Sequence, residues 1–272
     1  RGLGDVYKRQ RQDRDLPLDS FGDWRWREAL AELMVPIVGS MFRNGVRILM
    51  YGKSLVKVSF FTGILLTLQG VAGAVTVRFD NADWSVALHL GLASCFVFIL
   101  LWQFFSMRKL EGATWPMLRV SEKFKRAQLK RIKIMTASIF LLLILGAWVS
   151  SSPNGNQGCS VGFPEGWPKC QGSILPSLDD SGILVQMVHR TGAGLVGIAL
   201  IFGGMKFRES VRSHQMHYGF TRIFDLVTGL WLLNVCIGGL YVVFAKLGEF
   251  PEKLSLLHLL LGVASFLCAS VG

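Results

Sequence analysis

The sequence predicts an all-α, polytopic membrane protein made of two pseudo-symmetric four-helix bundles. Three observations carry that reading. Hydrophobic residues make up 51% of the 272, and they gather into runs long enough to cross a bilayer, which takes roughly 20 mostly apolar residues. The net charge of +11 lies between those runs, where topology signals place basic residues, so it does not point to nucleic acid. Finally, the chain repeats itself. QGVAGAVTV (69–77) matches NVCIGGLYV (234–242), and LHLGLA around His89 matches LHLLLG around His258.

The first ten residues, RGLGDVYKRQ, read as foreign. The run DVYKRQ resembles a translated adaptor of the kind used to prepare sequencing libraries, and such scars are set aside in fold reasoning. The last residues, FLCASVG, stop inside an apolar run. The chain therefore reads as a fragment open at both ends, with about seven helices of an eight-helix, two-bundle plan. Residues 11–27 are polar. Residues 28–50 form a weak helical segment, interrupted by Pro36, Arg43, Asn44 and Arg47. Clear spans follow at 58–77 and 84–107, with His89 near the start of the second. The stretch 108–133 is strongly basic and reads as a cytoplasmic linker; a solvated role is preferred there over docking of anionic lipid. Residues 134–150 span again and end at a Gly/Pro-rich loop that holds Cys159 and Cys170. Spans at 182–205 and 223–245 follow, and a last one begins near Leu254. These carry His189 with Arg190, and His258. The domain reading is then an adaptor scar at 1–10, an incomplete first bundle at 11–107, the basic linker at 108–133 and a second bundle at 134–272.

Basic loops near 43–57, 108–133 and 206–222 alternate with loops of mixed charge, which puts the basic loops in the cytoplasm. The loops at 78–83, 151–181 and 246–253 then face outward. His89, His189 and His258 all lie on the order of 10 Å inside the outward ends of their helices, at 1.5 Å per residue. Ionisable side chains in a membrane helix are costly and point to function. Helix packing explains a lone histidine; a repeat-related set at one depth favours a cofactor. Two imidazoles facing each other across a bundle make an axial pair for heme iron. Arg190 is placed to offset a propionate, and Gly192, Gly194 and Gly197 to leave room beside a flat macrocycle. Zinc is disfavoured, since no close-spaced ligand cluster accompanies the histidines. The loop cysteines read as a structural staple or a redox pair, and both stay open. Cys95, Cys236 and Cys268, within spans, read as small packing residues.

These residues carry a resemblance. LGAWVSS before the loop, the WPKC that closes it, the QMVHR helix and the two LHL segments resemble the heme A synthase family of cytochrome oxidase assembly, over roughly 58–272. The resemblance implies eight helices in two bundles in a bacterial plasma membrane, with the histidines and the cysteine loop toward the outer face. It implies heme B held by His189 and His258 in the second bundle. It places heme O as substrate in the first bundle, with His89 as a ligand and Glu28 as a catalytic carboxylate. The activity implied is oxidation of a ring methyl of heme O to a formyl group. A Cys159–Cys170 disulfide, heme O synthase and an electron donor as partners, membrane lipid contact and homo-oligomer formation also follow from it. One departure stands out. Where the family has its first histidine and an arginine, an offset of 158 from His189 and Arg190 lands on Ala31 and Glu32. A one-histidine substrate site, a misread N-terminal stretch and a shifted alignment all remain open. A degenerate relative, a non-catalytic heme-B-binding electron carrier or assembly factor, is the main alternative. A repeat-built transporter is a weaker one, because transporters bind at the midplane.

Overall fold

The computed structural model describes residues 53–110, 122–152, 158–214, 221–246 and 249–271. The weak segment 28–50, with Glu28, Ala31 and Glu32, lies outside them. The chain divides into two units, residues 1–59 and 60–272. Of the first, the described part is the opening of one helix, where Ser59 Oγ donates to the Leu55 carbonyl at 2.9 Å. The described residues from Phe60 onward belong to the second unit.

Six α-helices are described: α1 Lys53–Arg78, α2 Asp83–Leu110, α3 Glu122–Ser151, α4 Ser181–Ser213, α5 Thr221–Val243 and α6 Glu252–Val271. Each contains a stretch long and apolar enough to cross a membrane. Helix is the expected outcome in lipid, where every backbone N–H and C=O must be paired within the segment. The spans predicted at 58–77, 84–107, 134–150 and 182–205 fall inside these helices, while the one at 223–245 runs two residues past the end of α5 at Val243. The helices run further at their basic ends than apolar character alone indicated: residues 122–133 of the basic stretch are the first turns of α3. At 33 residues α4 is about 50 Å long at 1.5 Å per residue. That exceeds a hydrocarbon core of about 30 Å, so its end carrying Lys206, Arg208 and Arg212 extends past the apolar layer.

Burial is sorted as lipid dictates. Large apolar side chains such as Phe60, Phe61, Leu141, Leu195 and Phe202 are exposed. The buried positions of α2 are Ser85, Ala87, Gly91, Ser94 and Gln103. Lipid tails are as apolar as leucine, so small and polar residues are what gain by turning inward. Gln103 donates to Thr62 Oγ1 at 2.9 Å, and Thr76 Oγ1 donates to the Ser85 carbonyl at 3.1 Å, tying α2 to α1.

Helices α3, α4, α5 and α6 close a four-helix ring, each packed on the next and α6 back on α3. Its core is Ile139, Leu142, Leu200, Val227, Trp231, Phe266 and Ala269. Trp231 Nε1 donates to the Ala193 carbonyl at 3.1 Å, which satisfies the indole where it is buried. The ring covers the stretch read from the sequence as a second bundle at 134–272, with its first helix beginning earlier, at Glu122. Helix α2 packs on its outside, against α3 and α6, with Phe98 6.3 Å from Phe266 between ring centroids.

The loop after α3 forms a cap. Cys159 and Cys170 are disulfide-bonded and are 0% and 1% exposed, which makes them the core of the loop. Gly158 lies so close to α4 that a Cβ there would sit 2.3 Å from the Gly182 carbonyl carbon. Gly162, with φ +84°, donates its N–H to the Val242 carbonyl at 3.0 Å and so docks the loop on the end of α5. Trp167 lies across Gly239, where an added Cβ would meet its ring at 2.9 Å.

Candidate functional site

The second bundle brings two of the predicted histidines together. His189 lies eight residues into α4 and His258 six residues into α6. Their ring centroids are 6.4 Å apart and the rings are near perpendicular, at 80°. His258 Nδ1 donates to the Asn234 carbonyl of α5 at 2.9 Å, which leaves the Nε2 lone pair free. A ring held this way through its other nitrogen is a ligand of fixed tautomer and orientation. His189 Nδ1 is buried without a hydrogen-bond partner.

Heme iron fits this pair. His189 and His258 would hold the iron between them, since two imidazoles that share one metal stand at about this separation. A tetrapyrrole brings the remaining ligands itself. Among the described residues no group of three or more His, Cys, Asp or Glu gathers as a metal site, and two imidazoles alone fall short of a tetrahedral zinc.

Glycines seat the imidazoles. A Cβ on Gly146 of α3 would lie 3.0 Å from Cε1 of His189, and one on Gly238 of α5 would lie 2.8 Å from Cε1 of His258. In α1, a Cβ on Gly73 would lie 3.0 Å from Cε1 of His89. The three predicted ligands therefore each lean on a glycine of the preceding helix. The repeat pointed to Gly73 and Gly238; Gly146 was not singled out, and its distance of 43 residues from His189 leaves no local signal. The expectation for Gly192, Gly194 and Gly197 is corrected in part. Gly192 packs against Leu142 and Gly197 against Trp231, so these serve helix contact, while Gly194 alone has open space.

Arg190 is turned toward the cap. Its Nη1 donates to the carbonyls of Gly166 at 2.8 Å and Lys169 at 3.1 Å. Its Nη2 is buried and unpartnered, a donor in reserve beside the histidine pair. Arg190 thus connects the disulfide loop to the residue next to His189, a link that spacing did not reveal.

His89 stands in a different environment. Its partner is Gln69 of α1, with the amide nitrogen 3.2 Å from His89 Nε2. Its Nδ1 is buried without a partner, as is Gln69 Oε1. The end of α3 closes on this side of the molecule, with Ser152 Oγ donating to Asp83 at 3.2 Å, so the start of α2 and the start of the cap lie together.

Fold and site define a polytopic membrane protein with a facing histidine pair in a capped four-helix bundle. The comparisons with known proteins narrow this. The model of the cytochrome oxidase assembly protein family, COX15-CtaA, matches residues 29–270, and the chain belongs to that family. A heme A synthase of Symbiobacterium thermophilum is 31% identical over 134 residues, covering 48% of this chain and 39% of that protein. One from Oceanobacillus iheyensis is 27% identical over 207 residues, 73% of this chain and 61% of the relative. One from Staphylococcus haemolyticus is 25% identical over 236 residues, 84% and 70%. The chain thus spans between 39% and 61% of the length of the first two of these relatives.

Proposed function

We propose that this protein is a heme A synthase that oxidises a ring methyl of heme O to a formyl group. The observation that carries the reading is the His189–His258 pair, 6.4 Å between centroids, in a chain of the COX15-CtaA family. Heme B is the group assigned to that pair, and when bound it supplies a one-electron relay. The protein's part is to hold and orient. His258 keeps its proton on Nδ1 against the Asn234 carbonyl and presents Nε2. His189 meets it from α4, and both rings are seated by glycine. Arg190 Nη2 is the donor for a propionate, with Nη1 anchored on the cap. Heme O is the substrate this reading calls for, with His89 as a ligand; Glu28, the carboxylate that the resemblance implies, lies outside the described residues.

The orientation supported is cap outward, in a bacterial plasma membrane. Arg108 and Lys109 end α2, Lys130, Arg131 and Lys133 lie near the start of α3, and Arg212 ends α4, all at the end opposite the cap, as the positive-inside rule requires. Heme O synthase, an electron donor and a further copy of the chain are the partners this reading calls for.

A second reading rests on Ala31 standing where the family has a histidine. In that reading the chain is a heme-B-binding electron carrier or assembly factor without catalysis. The test is a reduced-minus-oxidised spectrum with extracted-heme chromatography, on wild type and His258→Ala expressed in cells that make heme O. A low-spin heme B signal lost in the variant, with heme A accumulating in wild type, supports the synthase. Heme B alone supports the carrier. A wild-type protein without heme overturns both.

A further inference from the structure

The two halves of the repeat hold their histidines in opposite ways. Gln69 and Asn234 are equivalent, each four residues before the glycine that seats the ring (Gly73 and Gly238). Each touches the equivalent histidine, His89 or His258. Asn234 does so through its backbone carbonyl, at Nδ1 of His258, 2.9 Å. That group cannot swing away, and it leaves Nε2 open. Gln69 does so through its side-chain amide, at Nε2 of His89, 3.2 Å. The nitrogen free in the second bundle is occupied in the first.

We propose that Gln69 is a release residue for the substrate heme: its amide competes with iron for Nε2 of His89. This deepens the reading of the first bundle given above and rests on it. An imidazole nitrogen has one lone pair. While it accepts a hydrogen bond from Gln69 it does not bind iron, and iron that binds there displaces the amide. Among the described residues no backbone partner holds the ring in its place: His89 Nδ1 is buried and unpartnered, and so is Gln69 Oε1. The Gln69–His89 bond is therefore the contact that closes the site when heme leaves. A resident cofactor needs no such competitor, and the His258 ring has none. A substrate that must depart as product does. The close seat on glycine is common to both halves, so the difference lies in the polar partner of the ring: a backbone carbonyl at Nδ1 in one half, an amide at Nε2 in the other. One hydrogen bond of ordinary net strength corresponds to a change of about 2- to 12-fold in retention.

The bland alternative is that Gln69 joins α1 to α2 as polar glue, a usual role for amides in membrane helices. The two roles predict opposite signs. The full-length protein, as wild type, Gln69→Leu and Gln69→Ala, is loaded with heme O in detergent. Release is followed as transfer to excess apomyoglobin, and heme B is measured in the same samples. The proposal expects release slowed about 2- to 12-fold in both variants, with heme B unchanged. Release at the wild-type rate or faster, with heme B retained, overturns it. Loss of heme B in both variants also overturns it, because the amide is then a strut for the whole fold. Wild type that takes up no heme O removes the substrate-site reading itself, and the proposal goes with it.

Discussion

A methyl group on Gly146 or Gly238 would press on the edge of the facing imidazole at 3.0 or 2.8 Å. Distances that short force the ring or the helix to shift, and overpacking of this kind costs about 1–3 kcal/mol. Gly146→Ala and Gly238→Ala are therefore expected to lower the ratio of heme B to protein and to alter the low-spin spectrum. Gly194→Ala is the control: nothing lies within 4 Å of its added Cβ, and it should match wild type. Gly73→Ala should leave heme B untouched and act only on heme O binding at His89. The histidines were legible as residues because ionisable groups in apolar runs are conspicuous. Of their seats the repeat marked Gly73 and Gly238 but not Gly146, since a glycine in a membrane helix has many reasons to be there and its partner lies on another helix.

At the scale of the element, α4 depends on its first turn. Asp180 accepts from the N–H groups of Gly182 and Ile183 at 2.8 and 3.0 Å. Both residues are buried, so water does not replace the cap. Asp180→Ala should cost about 1 kcal/mol, read as a lower thermal midpoint in detergent with the heme B content unchanged at low temperature. The span positions were readable because a membrane helix announces itself by length and composition. The ends were less so. Helix α3 runs on from Glu122 through a basic stretch, since hydrogen bonding continues after the apolar run stops and charged residues are good helix formers outside lipid.

At the largest scale described, the α3–α6 ring is held at one end by the disulfide cap. The cap joins α3 to α4 along the chain, docks on α5 through Gly162 and Trp167, and receives Arg190 from beside His189. Removing the bridge by replacing both cysteines, Cys159→Ser with Cys170→Ser, frees a short loop and should cost on the order of 2–4 kcal/mol. The expected result is a lower thermal midpoint together with faster loss of heme B on heating, because Arg190 loses its carbonyl partners. An unchanged heme B loss rate, with the midpoint lowered, would separate the cap from the site.

By itself the sequence determined the membrane class, the helix count of the second bundle, the internal repeat and the identity of the histidine pair. Those properties are carried by composition and by spacing along the chain, and lipid permits few other outcomes. Only the tertiary structure decided that His189 faces His258 at 6.4 Å, that Gly146 seats His189 and that Arg190 reaches back to Gly166. It also decided that the equivalent residues Gln69 and Asn234 hold opposite nitrogens of their histidines. The physical reason is that a repeat preserves which residue sits beside which helix, while the choice between a side chain and a backbone carbonyl as partner depends on shifts of an ångström in how the helices pack.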